Sequence, residues 1–338
     1  MTLQSRSLFR VCVPLLLATV TFAGCRSSTS GSGDQPIVIK FPHVVAPSTP
    51  KGQAAARFEQ LVEERFPGRV DIEVYPSSQL MNDDDSLEAL AFGEVQMIAV
   101  SLSKFDRLTH SFQVFDLPFL FPDLEAVQRF QRSETGQEML GELVESGFLG
   151  LGYWHNGMKH FGAPVAMRDP SDADGLKFRI MESDVLQAQV IAVGGNPQKM
   201  SFGEVYQALQ TGAIDAQENT WSNIYSTKFH EVQNYFTITN HGYVGYLVAV
   251  NPTFWAGLPE DIRAGLEDIM DEVTDWENSR AAEINADNLE RIRESGRTDI
   301  VSLTTDELDS WRTAMRPVWQ EFEGNIGTDI IAAAQAAE

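Results

Sequence analysis

The stretch IVIKFPHVVAPSTPKGQAAARFEQLVEERFPGRVDIEVY, residues 37–75, decides the fold class of this chain. Residues 37–45 and residues 69–75 are rich in valine and isoleucine, and the second segment alternates apolar and polar side chains, which predicts two strands. Between them, residues 51–66 repeat apolar side chains at helical spacing. A helix between two strands predicts a βαβ unit, and therefore an α/β fold with a largely parallel sheet.

The same alternation of strands and helices continues along the chain. Helices are predicted at residues 84–92 and, over about ten turns, at residues 259–294. The second helix is longer than one compact domain needs, so we expect it to run across two domains. Further strands are predicted at residues 95–101, 149–154, 177–181, 214–218 and 243–250.

Local sequence signals mark where several helices begin. Thr49 before Pro50 is typical of an N-cap followed by proline in the first helical turn. Residues 201–204, SFGE, have the spacing of a capping box, which predicts a helix through Leu209. The acidic run NDDD at residues 82–85 could be a cation site, but its position before a helix favours an N-cap.

Composition and charge exclude several classes of protein. The chain has 338 residues, 43% of them hydrophobic, which is typical of a globular protein and, at this length, of two domains. Twenty-five Lys and Arg against 48 Asp and Glu give a net charge of −23, which argues against a nucleic-acid-binding surface. Two cysteines are too few for a disulfide framework or a thiolate zinc site.

The first residues predict export from the cytoplasm. Residues 1–24 carry two arginines, no acidic residue and a short apolar run at residues 11–20, which is typical of a signal peptide. Residues 22–25, FAGC, resemble a bacterial lipobox, which predicts cleavage before Cys25 and lipid attachment to it. A simply cleaved signal with an incidental cysteine is the alternative. Serine and glycine dominate residues 25–36, so we expect a flexible tether and a periplasmic protein anchored to a membrane through its lipid.

Motifs for enzyme chemistry are missing from the sequence. It contains no nucleophile elbow, zinc-protease pattern, P-loop or EF-hand loop, and its six histidines are scattered. We therefore predict no catalytic residues, no metal site, no cofactor and no enzymatic activity.

Cationic and amide side chains are more informative in so acidic a chain. Arg179 lies in the middle of a predicted strand, where its planar guanidinium must find a carboxylate, either of a ligand or of an internal Asp or Glu. Lys51 lies in the first turn of a helix after a strand, where α/β folds bind anions, although a solvated surface lysine is the alternative. Asn219, Trp221 and Asn223 follow another strand and suit an oxygen-rich ligand, with packed turn residues as the alternative.

Seven segments of the chain carry a further signal. They are FPHVVAPSTPKG (41–52), SLSKF (101–105), FQVFDLPFLF (112–121), GLGYWHNGMK (150–159), GLKFRIMESD (175–184), EVYQALQTGAIDAQENTWSNIYSTKFHEVQ (204–233) and NHGYVGY (240–246). Together and in this order they resemble the solute-binding proteins of TRAP-type transporters, and most closely the DctP group, the branch that binds C4-dicarboxylates. The resemblance extends over essentially all of residues 37–318.

The resemblance implies a bilobal fold like that of periplasmic binding proteins, in which two α/β lobes close around an organic acid and a long helix spans both. The first lobe would contain residues 37–156 and 245–284, and the second lobe residues 157–244 and 285–338. It also implies a receptor that binds a C4-dicarboxylate such as succinate, fumarate or malate. The receptor would deliver this acid to the small and large integral membrane subunits of a sodium-driven TRAP transporter, and no nucleic-acid partner is implied.

The resemblance also implies which side chains contact the ligand. In this family the arginine of the KFRI strand, here Arg179, binds a substrate carboxylate, and the asparagine of the QEN segment, here Asn219, lines the same pocket. Lys159 stands where many relatives have an arginine. A diacid needs a second cluster of cationic or donor groups across the cleft. Lys51 or Lys159, helped by His43 and Ser101, could supply it. Segments that line the first lobe's side of the cleft contain His43, Lys51 and Ser101.

Two other receptor functions remain open at this point. The chain could bind a monocarboxylate or 2-oxo acid, in which case Lys51 and Lys159 would not both contact the ligand. It could also be a sensory binding protein for a membrane kinase. An enzyme on the same scaffold would need an activated nucleophile or an acid–base pair, and the sequence offers neither.

Overall fold

The computed structural model describes residues 35–337, which belong to one compact unit. The predicted signal peptide, Cys25 and all of the predicted tether except residues 35–36 lie outside the described residues. Within residues 35–337, no helix is both long enough and apolar enough to span a membrane.

The βαβ unit predicted at the start of the chain is present. Strands β1 (Ile37–Pro42) and β2 (Val70–Tyr75) pair in parallel, and helix α1 (Pro50–Arg65) connects them. A second sheet is antiparallel and contains β3 (Met97–Ser101), β4 (Leu149–Met158) and β10 (Tyr243–Val250). Strand β10 lies between the other two. We call the part of the molecule built on these two sheets the first lobe.

The second lobe is built on one six-stranded sheet. Its strands are β5 (His160–Ala163), β6 (Lys177–Ile180), β7 (Asn196–Lys199), β8 (Ala216–Asn219), β9 (Tyr235–Ile238) and β11 (Asp299–Ser302). Their order in the sheet is β11-β9-β5-β8-β6-β7. Strand β5 runs antiparallel to its neighbours β8 and β9, whereas β6 pairs in parallel with β7 and β8, and β11 with β9.

The prediction of a largely parallel sheet holds for β1 and β2 and, apart from β5, for the six-stranded sheet, but it is wrong for the antiparallel three-stranded sheet. The chain's path between the lobes gives the reason. Parallel neighbours need a crossover connection, usually a helix. Strand β4 instead leads into β5 after a single residue, and β9 leads into β10 through the short segment 239–242. These strands reach their sheets directly from the other lobe, so β5 and β10 run against their neighbours.

Helices cover the sheets of both lobes. Besides α1, those within residues 35–337 are α2 (Asp83–Ala91), α3 (Leu124–Arg132), α4 (Glu134–Gly141), α5 (Asp184–Ala192), α6 (Val205–Thr211), α7 (Trp221–Ser226), α8 (Pro252–Ala256), α9 (Glu260–Ser295), α10 (Thr305–Ile326) and α11 (Thr328–Gln335). The long helix predicted at residues 259–294 is confirmed as α9 within one residue at each end.

Helix α9 contributes to two separate hydrophobic clusters. Leu266 and Val273, in its N-terminal half, pack with apolar side chains of the first lobe such as Phe58 of α1. Ile292, near its C-terminal end, packs with Phe236 of β9 in the second lobe. One helix therefore supports both lobes, as a bilobal fold requires, while the residue limits of the lobes given above stay a prediction.

Two of the three predicted helix starts are confirmed. Thr49 caps α1 by accepting a hydrogen bond from the backbone N–H of Gly52, and Asn82 caps α2 by accepting one from that of Asp85. The capping box at residues 201–204 is wrong, because a separate 3-10 turn occupies Phe202–Glu204 and α6 begins only after it. No side chain caps either of these two elements.

Candidate functional site

A cavity lies between the two lobes where strands of both approach each other. The space in it that the centres of water molecules can occupy has a volume of about 40 Å³. One water needs about 10–15 Å³ by this measure, so the cavity holds a few waters or one small molecule. It is lined by Val44, Val45, Asn82, Asp83, Asp84, Ser101, Lys104, Arg179, Met181, Ser201, Phe202, Glu218, Asn219, Asn223, Val244 and Tyr246.

Arg179 of β6 gives this cavity a positive charge that no carboxylate of residues 35–337 contacts directly. The residue is 4% exposed, and its Nε donates to the carbonyl of Met200 at 3.0 Å, which orients the guanidinium. Within residues 35–337 its two terminal nitrogens make no hydrogen bond and no ion pair. Burial lowers the pKa of Arg179 to about 10, with Glu218 and Asp83 opposing the shift, so the group is protonated at neutral pH. The planar fork is therefore free to bind a ligand carboxylate.

Two acidic side chains from the start of α2 also line the cavity. Asp84 forms an ion pair with Lys104, whose Nζ lies 2.8 Å from both carboxylate oxygens. The Oδ1 atom of Asp83 is buried and has no hydrogen-bond partner within the described residues. Burial raises the pKa of Asp83, and the nearby cations Lys51 and Lys104 oppose this shift.

Glu218 of β8 connects the cavity to a buried ionic cluster. Lys159 donates from Nζ to Oε1 at 2.7 Å, and Nε2 of His241 lies 2.7 Å from Oε2. Burial alone would raise the pKa of Glu218, but Lys159 and His241 outweigh it and lower the pKa to about 2. Glu218 is therefore ionised at neutral pH and its charge is neutralised within this cluster.

The segment from the end of β8 into α7 presents side-chain amides to the cavity. Thr220 is the N-cap of α7. Asn219 accepts at Oδ1 from Nδ2 of Asn223 at 2.8 Å and from the backbone N–H of Thr220 at 3.1 Å. Within residues 35–337, Nδ2 of Asn219 donates to no partner and Oδ1 of Asn223 accepts from none. These two groups are free to bind a ligand.

Lys51 and His43 lie behind the residues of the first lobe that line the cavity. Lys51 is fully buried, and its Nζ donates to the carbonyl of Ala99 at 2.8 Å and lies 3.6 Å from the ring centre of Tyr246, which lines the cavity. Burial lowers the pKa of Lys51 to about 8, with nearby carboxyl groups opposing the shift. Burial, and then the charge of Lys51, lower the pKa of His43 to about 3, so this imidazole is neutral.

The structure thus brings part of the sequence-predicted set into the cavity wall. The predicted residues that line it are Ser101, Arg179, Asn219 and Asn223. The predicted residues that lie outside its lining are His43, Lys51, Lys159 and Trp221. Trp221 stacks on His160 with 4.3 Å between ring centres and packs in an apolar cluster, as the alternative of a packed turn residue expected.

Sequence reasoning missed most of the other residues of the cavity wall, among them Asp83, Lys104 and Tyr246. The acidic run at residues 82–85 predicts an N-cap, which is correct for Asn82, but its neighbours Asp83 and Asp84 also line the cavity. A signal for Tyr246 was available, because it is the last residue of NHGYVGY (240–246), one of the segments that carry the resemblance. No pattern pointed to Lys104, since its partner Asp84 is 20 residues away in the chain.

Fold and site together define a class of protein. Two α/β lobes joined by two strand connections and one long helix enclose a cavity between them. Among residues 35–337, the cavity offers the free guanidinium of Arg179 together with amide and hydroxyl groups, which are the donors that hold a small carboxylate-bearing molecule. The molecule is therefore a bilobal solute-binding receptor.

Comparison with known proteins identifies the family. Residues 41–325 match the DctP family, described as bacterial extracellular solute-binding protein, family 7. The chain is 49% identical over 323 residues to the C4-dicarboxylate-binding periplasmic protein DctP of Shewanella loihica, which covers 95% of this chain and 96% of that protein. The protein of the same name from Rhodobacter capsulatus is 49% identical over 304 residues, 90% of this chain and 91% of that protein. The chain belongs to the DctP family of extracytoplasmic solute receptors, and it is a receptor rather than an enzyme, as predicted.

Solved structures agree with this assignment and with the predicted bilobal fold. A TRAP periplasmic solute-binding protein from Shewanella oneidensis with bound succinate superposes with a TM-score of 0.88 at 50% identity, covering 89% of this chain and 99% of that one. A second, from Pseudomonas aeruginosa with bound L-malate, superposes with a TM-score of 0.83 at 46% identity, covering 85% of this chain and 100% of that one.

Proposed function

We propose that this receptor binds a C4-dicarboxylate, such as succinate, fumarate or malate, in the cavity between its lobes and delivers it to the small and large membrane subunits of a TRAP transporter. The observation that carries the proposal is the buried guanidinium of Arg179, whose terminal nitrogens have no partner within the described residues. The names of the DctP relatives and the acids bound in the two solved structures support the same ligand class.

The proposed contacts divide between the two lobes. Arg179 binds one carboxylate through its fork, and Asn219 donates from Nδ2 to a ligand oxygen. The free Oδ1 of Asn223 can accept from the hydroxyl of malate. On the first lobe's side, the hydroxyl of Ser101 faces the second carboxylate. The positive charge of Lys51, behind the ring of Tyr246, attracts that carboxylate through the cavity wall. Lys159 contributes by neutralising Glu218, and His43 contributes by packing behind the first lobe's wall.

Thermal unfolding in the presence of different acids tests this function. A ligand at about 100 times its dissociation constant adds about 2.7 kcal/mol to the free energy of unfolding, which appears as a clear rise in Tm. We expect such a rise with succinate, fumarate and malate and none with pyruvate, lactate, a sugar acid or sialic acid. A rise with the monoacids alone would replace the dicarboxylate by a monocarboxylate or 2-oxo acid, and no rise with any acid would contradict the proposal.

We further propose that lipid on Cys25 anchors the receptor to a membrane. The FAGC segment and the serine- and glycine-rich residues after it support this proposal. Cells that express the full chain with radiolabelled palmitate should label the wild-type protein and not the Cys25→Ser variant. Cys12→Ser, within the predicted signal peptide, is the matched control and should keep the label. An unlabelled wild-type protein would mean a simply cleaved signal.

A further inference from the structure

Asn156 is a fully buried side chain at the point where β4 leaves the first lobe. In the pairing of β4 with β10, His155 lies opposite Gly245 and Gly157 lies opposite Val244, so Asn156 is an extra residue with no partner on β10. Such a β-bulge turns a side chain out of the regular alternation of the strand, and bulges often lie beside functional sites. The direction of the Asn156 amide is therefore set by the bulge.

Both ends of this amide are hydrogen-bonded, one to a residue that lines the cavity and the other to the segment between the cavity residues Asn219 and Asn223. Its Nδ2 donates to the hydroxyl of Tyr246 at 2.5 Å, on the first lobe's wall. Its Oδ1 accepts from the hydroxyls of Ser222 at 2.5 Å and Thr220 at 3.1 Å, at the start of α7 in the second lobe. One amide thus links the ring that covers Lys51 to the helix that carries the cavity amides.

The long helix α9 holds Asn156 from a third side. Asn285 donates from Nδ2 to the backbone carbonyl of Asn156 at 2.5 Å, and its Oδ1 accepts from the backbone N–H of Ser222 at 3.0 Å. Asn156 itself is outside the cavity lining, so it would act on a ligand only through the residues it holds.

We propose that Asn156 is a positioning residue that fixes the distance between the two walls of the ligand cavity, and so sets how slowly the bound acid leaves. This inference rests on the proposed function, since the acid is the ligand whose departure it controls. Losing the amide frees Tyr246 on one wall and the start of α7 on the other. The two walls are then no longer connected through one side chain, although each keeps its own contacts to the ligand.

The experiment compares Asn156→Ala and Ser222→Ala with the wild-type protein, using stopped-flow tryptophan fluorescence with succinate. We expect Asn156→Ala to raise the dissociation rate about 10- to 100-fold, because it unpairs several buried polar groups. Ser222→Ala removes one of these bonds and should raise the rate about 3- to 10-fold. The association rate should change less than about threefold in both, since affinity differences among related variants lie mostly in dissociation.

Asn278→Ala is the matched control. Asn278 also bridges α9 and β4, accepting from the backbone N–H of His155 at 2.9 Å and donating to the carbonyl of Tyr153 at 3.0 Å, but it touches neither cavity wall. It should lower the Tm of the ligand-free protein and leave the dissociation rate unchanged. If Asn156→Ala and Ser222→Ala behave like this control, Asn156 is merely structural and the inference is overturned. Ser222→Ala alone decides the outcome if Asn156→Ala does not fold.

A ligand-free measurement separates this inference from the proposed function. Spin labels at Glu88→Cys of α2 and Gln207→Cys of α6, with the native cysteines replaced by serine, report the distance between the lobes. Asn156→Ala should broaden the distribution of this distance and Asn278→Ala should not. If the wild-type protein binds no acid, the proposed function fails, and an unbroadened distribution in Asn156→Ala would independently overturn the positioning role.

Discussion

Replacing Arg179 by alanine should reduce the affinity for succinate at least about 100-fold, measured by isothermal titration calorimetry at neutral pH. Its guanidinium is buried, protonated and unpaired within the described residues, so the ligand carboxylate would be its first ionic partner. Truncating one side of a buried, charged hydrogen-bonded pair typically costs 2–5 kcal/mol or more of binding free energy. A large part of this cost is the penalty of leaving the ligand carboxylate desolvated without its partner.

Arg179→Lys separates charge from geometry. Lysine keeps the positive charge but has no planar fork, so it should still lose most of the affinity. Arg168→Lys is the control, because Arg168 pairs with Glu307 on the exposed surface and is outside the cavity lining. It should bind succinate like the wild-type protein. If Arg179→Lys binds succinate as tightly as the wild type, the bidentate role of Arg179 is wrong.

Elements whose signals are local were predictable from the sequence. Thr49 before Pro50 placed the start of α1, and sustained helical periodicity placed α9 within one residue at each end. Strand pairing was not predictable in the same way. Whether β5 pairs in parallel depends on how the chain returns between the lobes, and nothing within residues 160–163 specifies that path.

Residues of the cavity wall were predictable where a single residue type is unusual for its position in a strand or helix. Arg179 in the middle of a strand needed a partner, and the resemblance pointed to a ligand. The resemblance pointed to Lys159 as well, yet its charge is neutralised by Glu218, 59 residues further along the chain. Sequence reasoning cannot separate these two cases, because both describe a buried cation and differ only in whether a carboxylate lies nearby. The bulge at Asn156 is hidden for a similar reason, since it appears only in the register between β4 and β10.

The contrast between these two cations leads to the second large effect. Lys159→Met should lower the free energy of unfolding by about 3–5 kcal/mol at pH 7, measured by urea denaturation, since it leaves the buried carboxylate of Glu218 without its cation. The double variant Lys159→Met/Glu218→Gln should recover most of this loss, because it removes the buried charge as well. Arg132→Met is the surface control: its ion pair with Asp275 is largely exposed, and such pairs contribute about 0–1 kcal/mol.

The stability difference between Lys159→Met and the wild type should depend on pH in a way that a simple loss of packing would not produce. The pKa of Glu218 is lowered to about 2 in the folded protein from an ordinary value of 4.5, so its cluster stabilises the fold above pH 4.5 and this contribution is lost as the pH falls from 4.5 towards 2. Without Lys159, burial dominates and the pKa of Glu218 rises. The variant then takes up a proton at a higher pH than the wild type, and the stability difference between the two should shrink as the pH is lowered from 7 to 5. A difference that stays constant over this range, or a loss no larger than that of Arg132→Met, would show that the charge of Lys159 does not hold Glu218 ionised.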